Sequence, residues 1–113
     1  MSFPDDQVRE LVRLFPGVQQ AGEGGLTYFL IPALQMPPER VPECTDALLC
    51  PMERDGYPSR LFFAQQITGG GPGTNWNANN VRILERNWFA VSWRVNPNLR
   101  LAQMIPAHLE AFR

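Results

Sequence analysis

Two thiols and one imidazole are the strongest nucleophiles and metal ligands in this sequence: Cys44, Cys50 and His108. A thiolate would support thioester exchange, and a cysteine and histidine cluster would hold zinc. The run CTDALLC reads as a strand, so both sulfurs fall on one face, about 20 Å apart at about 3.3 Å per residue. A disulfide needs Cα atoms within about 7 Å, so two reduced, half-buried thiols are expected. A zinc site needs further ligands that a single histidine does not supply, and neither a metal nor a cofactor is expected. His108 falls inside the apolar stripe of the last helix, where a lone histidine reads as a hydrogen-bonded core residue. No paired carboxylates and no Ser/His/Asp constellation can be read from the sequence. The run GGGPG lacks the Lys and Ser/Thr of a phosphate-binding loop.

Length and charge bound what such residues could serve. The chain has 113 residues, 44% of them hydrophobic, which is one compact domain spanning 1–113. Ten basic residues nearly cancel eleven acidic ones and are dispersed, so no nucleic-acid partner is expected. No apolar run approaches the roughly 20 residues that span a bilayer, and MSFPDDQVRE is acidic where a signal peptide is basic. A cytoplasmic protein without membrane contact is the expectation. All the basic residues are arginine. Gene base composition accounts for that as readily as function does. Beside a lysine-modifying system, however, a lysine-free chain offers no side chain for its own modification.

The elements that must position these residues follow from periodicity. Asp5 or Asp6 can cap a first helix whose stripe is Val8, Leu11, Val12 and Phe15, stopped by Pro16-Gly17. Val18 to Gln20 and Leu26 to Ile31 read as strands joined by a turn in AGEGG. QMPPERVPE is a proline-rich loop, Cys44 to Cys50 a third strand and Leu61 to Ile67 a fourth, which suggests an antiparallel meander. TGGGPGTNWNANN then reads as a long loop whose glycines permit a mobile excursion. Val81 to Leu84 and Trp88 to Trp93 are short apolar segments. After the turn at Asn96-Pro97-Asn98, Leu101, Ile105, Leu109 and Phe112 share one helical face, and Pro106 predicts a kink or a buttressed helix.

That order resembles the ubiquitin-conjugating (E2) superfamily, in particular the reduced E2-like proteins of bacterial ubiquitin-like operons. The resemblance covers nearly the whole chain. GGLTYFLI stands for the second strand, CTDALLCP for the third, GYPSRLFF for the Tyr-Pro element, and NWNANN where an HPN loop falls. Trp93 follows Tyr57 at close to the family's own separation, and RVNPNLRLAQMIPAHL follows Trp93 as the family's next helix does. The departures are equally specific. Arg60-Leu61 replaces the paired prolines, the HPN histidine and proline are missing, and Asn75, Asn79 and Asn80 compete with Asn77 for the motif asparagine. Shortly before Trp93, where the active cysteine belongs, the sequence reads RILERNW.

The resemblance implies an α+β, UBC/RWD-like fold: an N-terminal helix, a four-stranded antiparallel meander, a long loop, and a C-terminal helix packed on the sheet. The chain ends there, without the further helices of larger members. It implies an E2-like component of a bacterial ubiquitin-like conjugation system, non-catalytic or atypical, with a ubiquitin-like, E1-like or E2-like protein as partner. Its binding surface would involve Tyr57, Pro58, Arg60, Trp76, Asn77, Trp88 and Trp93. The alternative is an active conjugating enzyme carrying a thioester on Cys50 or, second, Cys44. A third reading is an interaction domain unrelated to ubiquitin-like proteins, whose tryptophans fill the core.

Overall fold

The computed structural model describes residues 3–72 and 74–113. The chain is α+β, with helix α1 (Asp5–Leu14), strands β1 (Gln19–Glu23), β2 (Leu26–Gln35), β3 (Cys44–Cys50), β4 (Arg60–Phe63), β5 (Trp76–Ile83) and β6 (Arg86–Val91), then helix α2 (Leu101–Leu109). A 3-10 turn, Glu110–Phe112, follows α2. The sheet has six strands in the order β1-β2-β3-β4-β6-β5, and every pair is antiparallel. Two strands more than expected therefore complete the sheet.

Local chemistry explains the turns. Glu23 pairs with Leu26 across Gly24-Gly25, both at positive φ, the conformation a two-residue hairpin requires and glycine adopts without strain. Strand β2 runs past Pro32 because a bulge interrupts the register between Ile31 and Leu34. There Ala33 takes φ 48° and its N–H donates to Asp46 Oδ1 at 2.9 Å. Helix α1 starts after Pro4 with no side-chain cap, so Asp5 and Asp6 lie in the first turn, where they favour the helix dipole. Its inward stripe is Val8, Leu11 and Phe15, whereas Val12 is turned toward solvent.

Two cores sit on the two faces of the sheet. On one, α1 and α2 pack Leu11, Leu101, Ile105 and Leu109 against Phe29, Ile31, Leu49 and Phe63. On the other, Tyr28, Leu48, Cys50 and Phe62 meet Ala78, Ile83, Trp88 and Ala90 of β5 and β6. Strand β6 joins β4 through the single pair Phe63 and Phe89, and the β5–β6 hairpin closes the second core with its inward side chains. Pro106 lies inside α2, and the helix continues through it to Leu109, held by buried Met104, Ile105, His108 and Leu109.

The expected long loop is shorter, because Trp76 to Asn80 belong to β5. Two of its glycines, Gly69 and Gly71, serve close approach. A Cβ on Gly71 would lie 2.5 Å from both Ala111 O and Phe112 Cα, and one on Gly69 would lie 2.7 Å from Glu39 O. Arg40 Nε donates to Phe112 O at 2.6 Å, so the β2–β3 connection, this loop and the C-terminal turn interlock. Gly73, in the same run, lies outside the described residues.

Candidate functional site

The connection between β3 and β4 carries Tyr57-Pro58-Ser59 and enters the sheet at Arg60. Alternation in an extended chain sends Ser59 and Arg60 to opposite faces. Ser59 turns to the helix face, where its Oγ lies 2.9 Å from Nε2 of His108 on α2. Both are buried, Ser59 completely. Burial, with the Arg60 charge as a second cause, lowers the His108 pKa to about 4. The imidazole is therefore neutral at physiological pH, and the pair ties the β3–β4 connection to α2.

Arg60 enters the other face and organises a polar network. Its Nη1 donates to Asp55 Oδ2 at 3.0 Å, and its Nη2 donates to Asn77 Oδ1 at 2.5 Å and to the Val91 carbonyl at 3.1 Å. Asn77 Nδ2 donates to the Tyr57 hydroxyl at 2.9 Å, and that hydroxyl lies 2.9 Å from Ser92 Oγ. Arg60 is 4% exposed, so these partners compensate a charge withdrawn from water. Tyr57 is half-buried at the rim of the network. Hydrogen bonding from Ser92, then from Asn77, with the Arg60 and Arg94 charges, lowers its phenol below the ordinary value of 10 against a smaller opposing effect of burial.

Guanidiniums and aromatic rings alternate along this side. Arg54 stands over Phe62 at 5.4 Å, Arg60 over Phe62 at 5.4 Å and over Tyr57 at 4.5 Å, and Arg94 over Tyr57 at 5.1 Å. Asp55 is the carboxylate paired with this row, through Arg60 and Arg54. Arg54 Nη1 donates to Tyr28 Oη at 3.0 Å, while its buried Nε, 3.4 Å from Asp55 Oδ2, is not aimed well enough to donate. The charges that act on the Tyr57 phenol are those of Arg60 and Arg94.

The structure thus brings Tyr57, Arg60 and Asn77 together, with Pro58 half-buried beside them. It separates the three tryptophans. Trp76 packs edge-on against Phe63 and beside Phe112, Trp88 is fully buried with its Nε1 donating to Ile83 O at 3.0 Å, and Trp93 Nε1 donates to Ala107 O of α2 at 3.1 Å. Ser92, Arg94, Asp55 and Arg54 were not singled out by the sequence. Ser92 and Arg94 flank Trp93, and an extended reading of SWR, with the tryptophan inward, would have placed both on the opposite side.

Neither thiol lies in this network. Cys50 belongs to the second core and is 0% exposed, with its Sγ 3.6 Å from Met52 O. Burial raises its pKa above the ordinary thiol value, against weaker lowering by the Met52 contact and Arg54. Cys44 is exposed at the start of β3 rather than half-buried. No cluster of His, Cys, Asp and Glu among the described residues could hold a metal ion. RILERNW forms the β5–β6 hairpin, with Leu84 and Glu85 as its turn. An apolar groove of about 530 Å³ lies between Phe15-Pro16, the β2 bulge and α2, and none of the network residues lines it. No helix among the described residues is long and apolar enough to cross a membrane.

Comparison with protein-family models, with curated proteins and with solved structures finds no match for this chain.

Proposed function

We propose that this protein is an E2-like, UBC/RWD-like component of a bacterial ubiquitin-like conjugation system that binds its partners without carrying a thioester. The order of α1, sequentially paired β1 to β4, a Tyr-Pro element between β3 and β4, and a helix after Trp93 supports the resemblance. The observation that favours binding over catalysis is the 0% exposure of Cys50. A thiol that is buried and held protonated is a poor nucleophile, so carriage through Cys50 would require the end of β3 to open. Cys44 is exposed but stands at the far end of β3 from the Tyr57 network. The lysine-free composition suits a chain working beside a lysine-modifying enzyme.

In this reading the partner is a ubiquitin-like, E1-like or E2-like protein, met in the cytoplasm through the face around Tyr57. Titration calorimetry with a ubiquitin-like protein and an E1-like enzyme of a bacterial conjugation operon tests the proposal. Saturable binding weakened at least tenfold by Tyr57→Ala supports it. If none of those proteins binds, the domain serves some other interaction and the proposal fails.

A further inference from the structure

The hydrogen-bond chain beside Tyr57 has a direction. A guanidinium only donates, so Arg60 fixes Asn77 Oδ1 as acceptor and turns Asn77 Nδ2 toward the Tyr57 hydroxyl. The phenol and the Ser92 hydroxyl, 2.9 Å apart, share one hydrogen bond in which either can donate, so the two hydroxyls have one hydrogen more than that bond uses. One hydroxyl hydrogen of the pair is then left for an acceptor outside the network, and it is the Ser92 hydrogen whenever the phenol donates to Ser92. Arg94, two residues on and on the same side, is exposed. It stacks on Tyr57 and pairs with no carboxylate among the described residues. A free guanidinium and a free hydroxyl hydrogen thus border one ring.

We infer that Ser92 and Arg94 form a binding subsite for a carboxylate presented by a partner peptide. The ligand chemistry follows from the count of free donors. Arg60 is committed to Asp55, Asn77 and Val91 O, and Arg54 to Tyr28 and Asp55. One free cation and one hydroxyl match a monoanion, with two acceptor oxygens, better than a phosphate dianion. The bound carboxylate holds the Ser92 hydrogen, so that Ser92 accepts from the phenol and no longer donates to it, and adds negative charge beside it. The charged groups facing Tyr57 are Arg60 and Arg94, with Asp55 behind Arg60, and binding opposes ionisation of the phenol they favour. The inference rests on the reading of this face as a binding face, and not on which protein binds it.

Two-dimensional amide NMR of the whole protein tests the subsite with three short peptides: one neutral apart from a free C-terminal carboxylate, its C-terminal amide, and the amide with one internal glutamate. The expected result is saturable shifts around Ser92 and Arg94 with the free acid and none with the neutral amide. Binding of the glutamate peptide as tightly as the free acid assigns the site to carboxylates of either source, and its failure assigns the site to chain termini. Arg94→Gln should weaken binding about tenfold and Ser92→Ala about threefold, whereas Arg82→Gln, an exposed arginine elsewhere, should not change it. The Tyr57 pKa should rise on saturation, a response that a merely structural network would not give. Equal shifts with acid and amide, undiminished binding to Arg94→Gln, or tighter binding of inorganic phosphate would overturn the inference. If the peptides bind and the ubiquitin-like protein does not, the subsite stands and the proposed function fails. The opposite pattern sinks the subsite alone.

Discussion

Tyr57 and Tyr28 are the two tyrosines of the chain, and their surroundings push their phenols apart. Hydrogen bonds from Ser92 and Asn77 lower Tyr57, whereas burial in the second core raises Tyr28 despite its contact with Arg54. An ultraviolet titration should therefore show two separate phenolate steps, one on each side of the ordinary value. Ser92→Ala should move the lower step upward and leave the other in place, and a single merged step would contradict the network. His108 makes a second prediction at this scale. Its pKa falls from 6.5 unfolded to about 4 folded, so the unfolded chain binds the extra proton between those values. Stability conferred by the neutral imidazole is fully present above 6.5 and is lost as pH falls through 4, by up to about 3 kcal/mol. Asp6, lowered chiefly by its bond to Arg100, acts only below 3.8. Urea melts at pH 7 and 4.5 should differ clearly in the native protein and much less in His108→Gln.

At the scale of elements, the β5–β6 hairpin was the hardest to read. Its first strand, WNANNVRI, turns only Ala78 and Ile83 fully inward, and two register shifts with Asn80 at φ 56° break the alternation that marks a strand. Its turn uses Leu84 at φ 52° and Glu85 at φ 66°, where Asn-Gly is the usual signal. Leu84 packs against the second core, but Glu85 is exposed and has only its strain to lose. Glu85→Gly should raise stability by about 1 kcal/mol in a chemical denaturation curve, and a loss of stability would contradict this turn geometry. The glycine loop responds in the opposite sense. Gly71→Ala places a Cβ against backbone of Ala111 and Phe112, atoms that no side-chain rotation can move away. It should lower stability by about 3 kcal/mol and loosen the C-terminal turn.

Across the whole molecule, much of the frame is legible in the sequence. The helix stripes, the Gly24-Gly25 hairpin, the CTDALLC strand and the Tyr57-Pro58 connection all follow from local periodicity and turn chemistry. The site was legible only in part. Arg60 and Asn77 stand 17 positions apart and meet because β4 and β6 pair and β5 lies beyond β6, a long-range event with no local signature. Ser92 and Arg94 join them for the same reason. The helices are likewise joined by distant groups, with Arg100 bonded to Asp6 and Glu10, and Gln7 Oε1 accepting from the Leu101 N–H. Such exposed ion pairs align α1 with α2 and contribute little to stability, which comes from the two cores.

In the proposed function this domain binds its partners and carries no thioester. Intact-mass analysis tests it directly, after incubation with ATP, an E1-like enzyme and a ubiquitin-like protein of a bacterial conjugation operon, under conditions in which the E1-like enzyme itself becomes charged. The predicted result is an unchanged mass for this chain. A covalent adduct that a reducing thiol removes, and that Cys50→Ala no longer forms, would contradict the claim and identify a thioester carrier whose third strand opens.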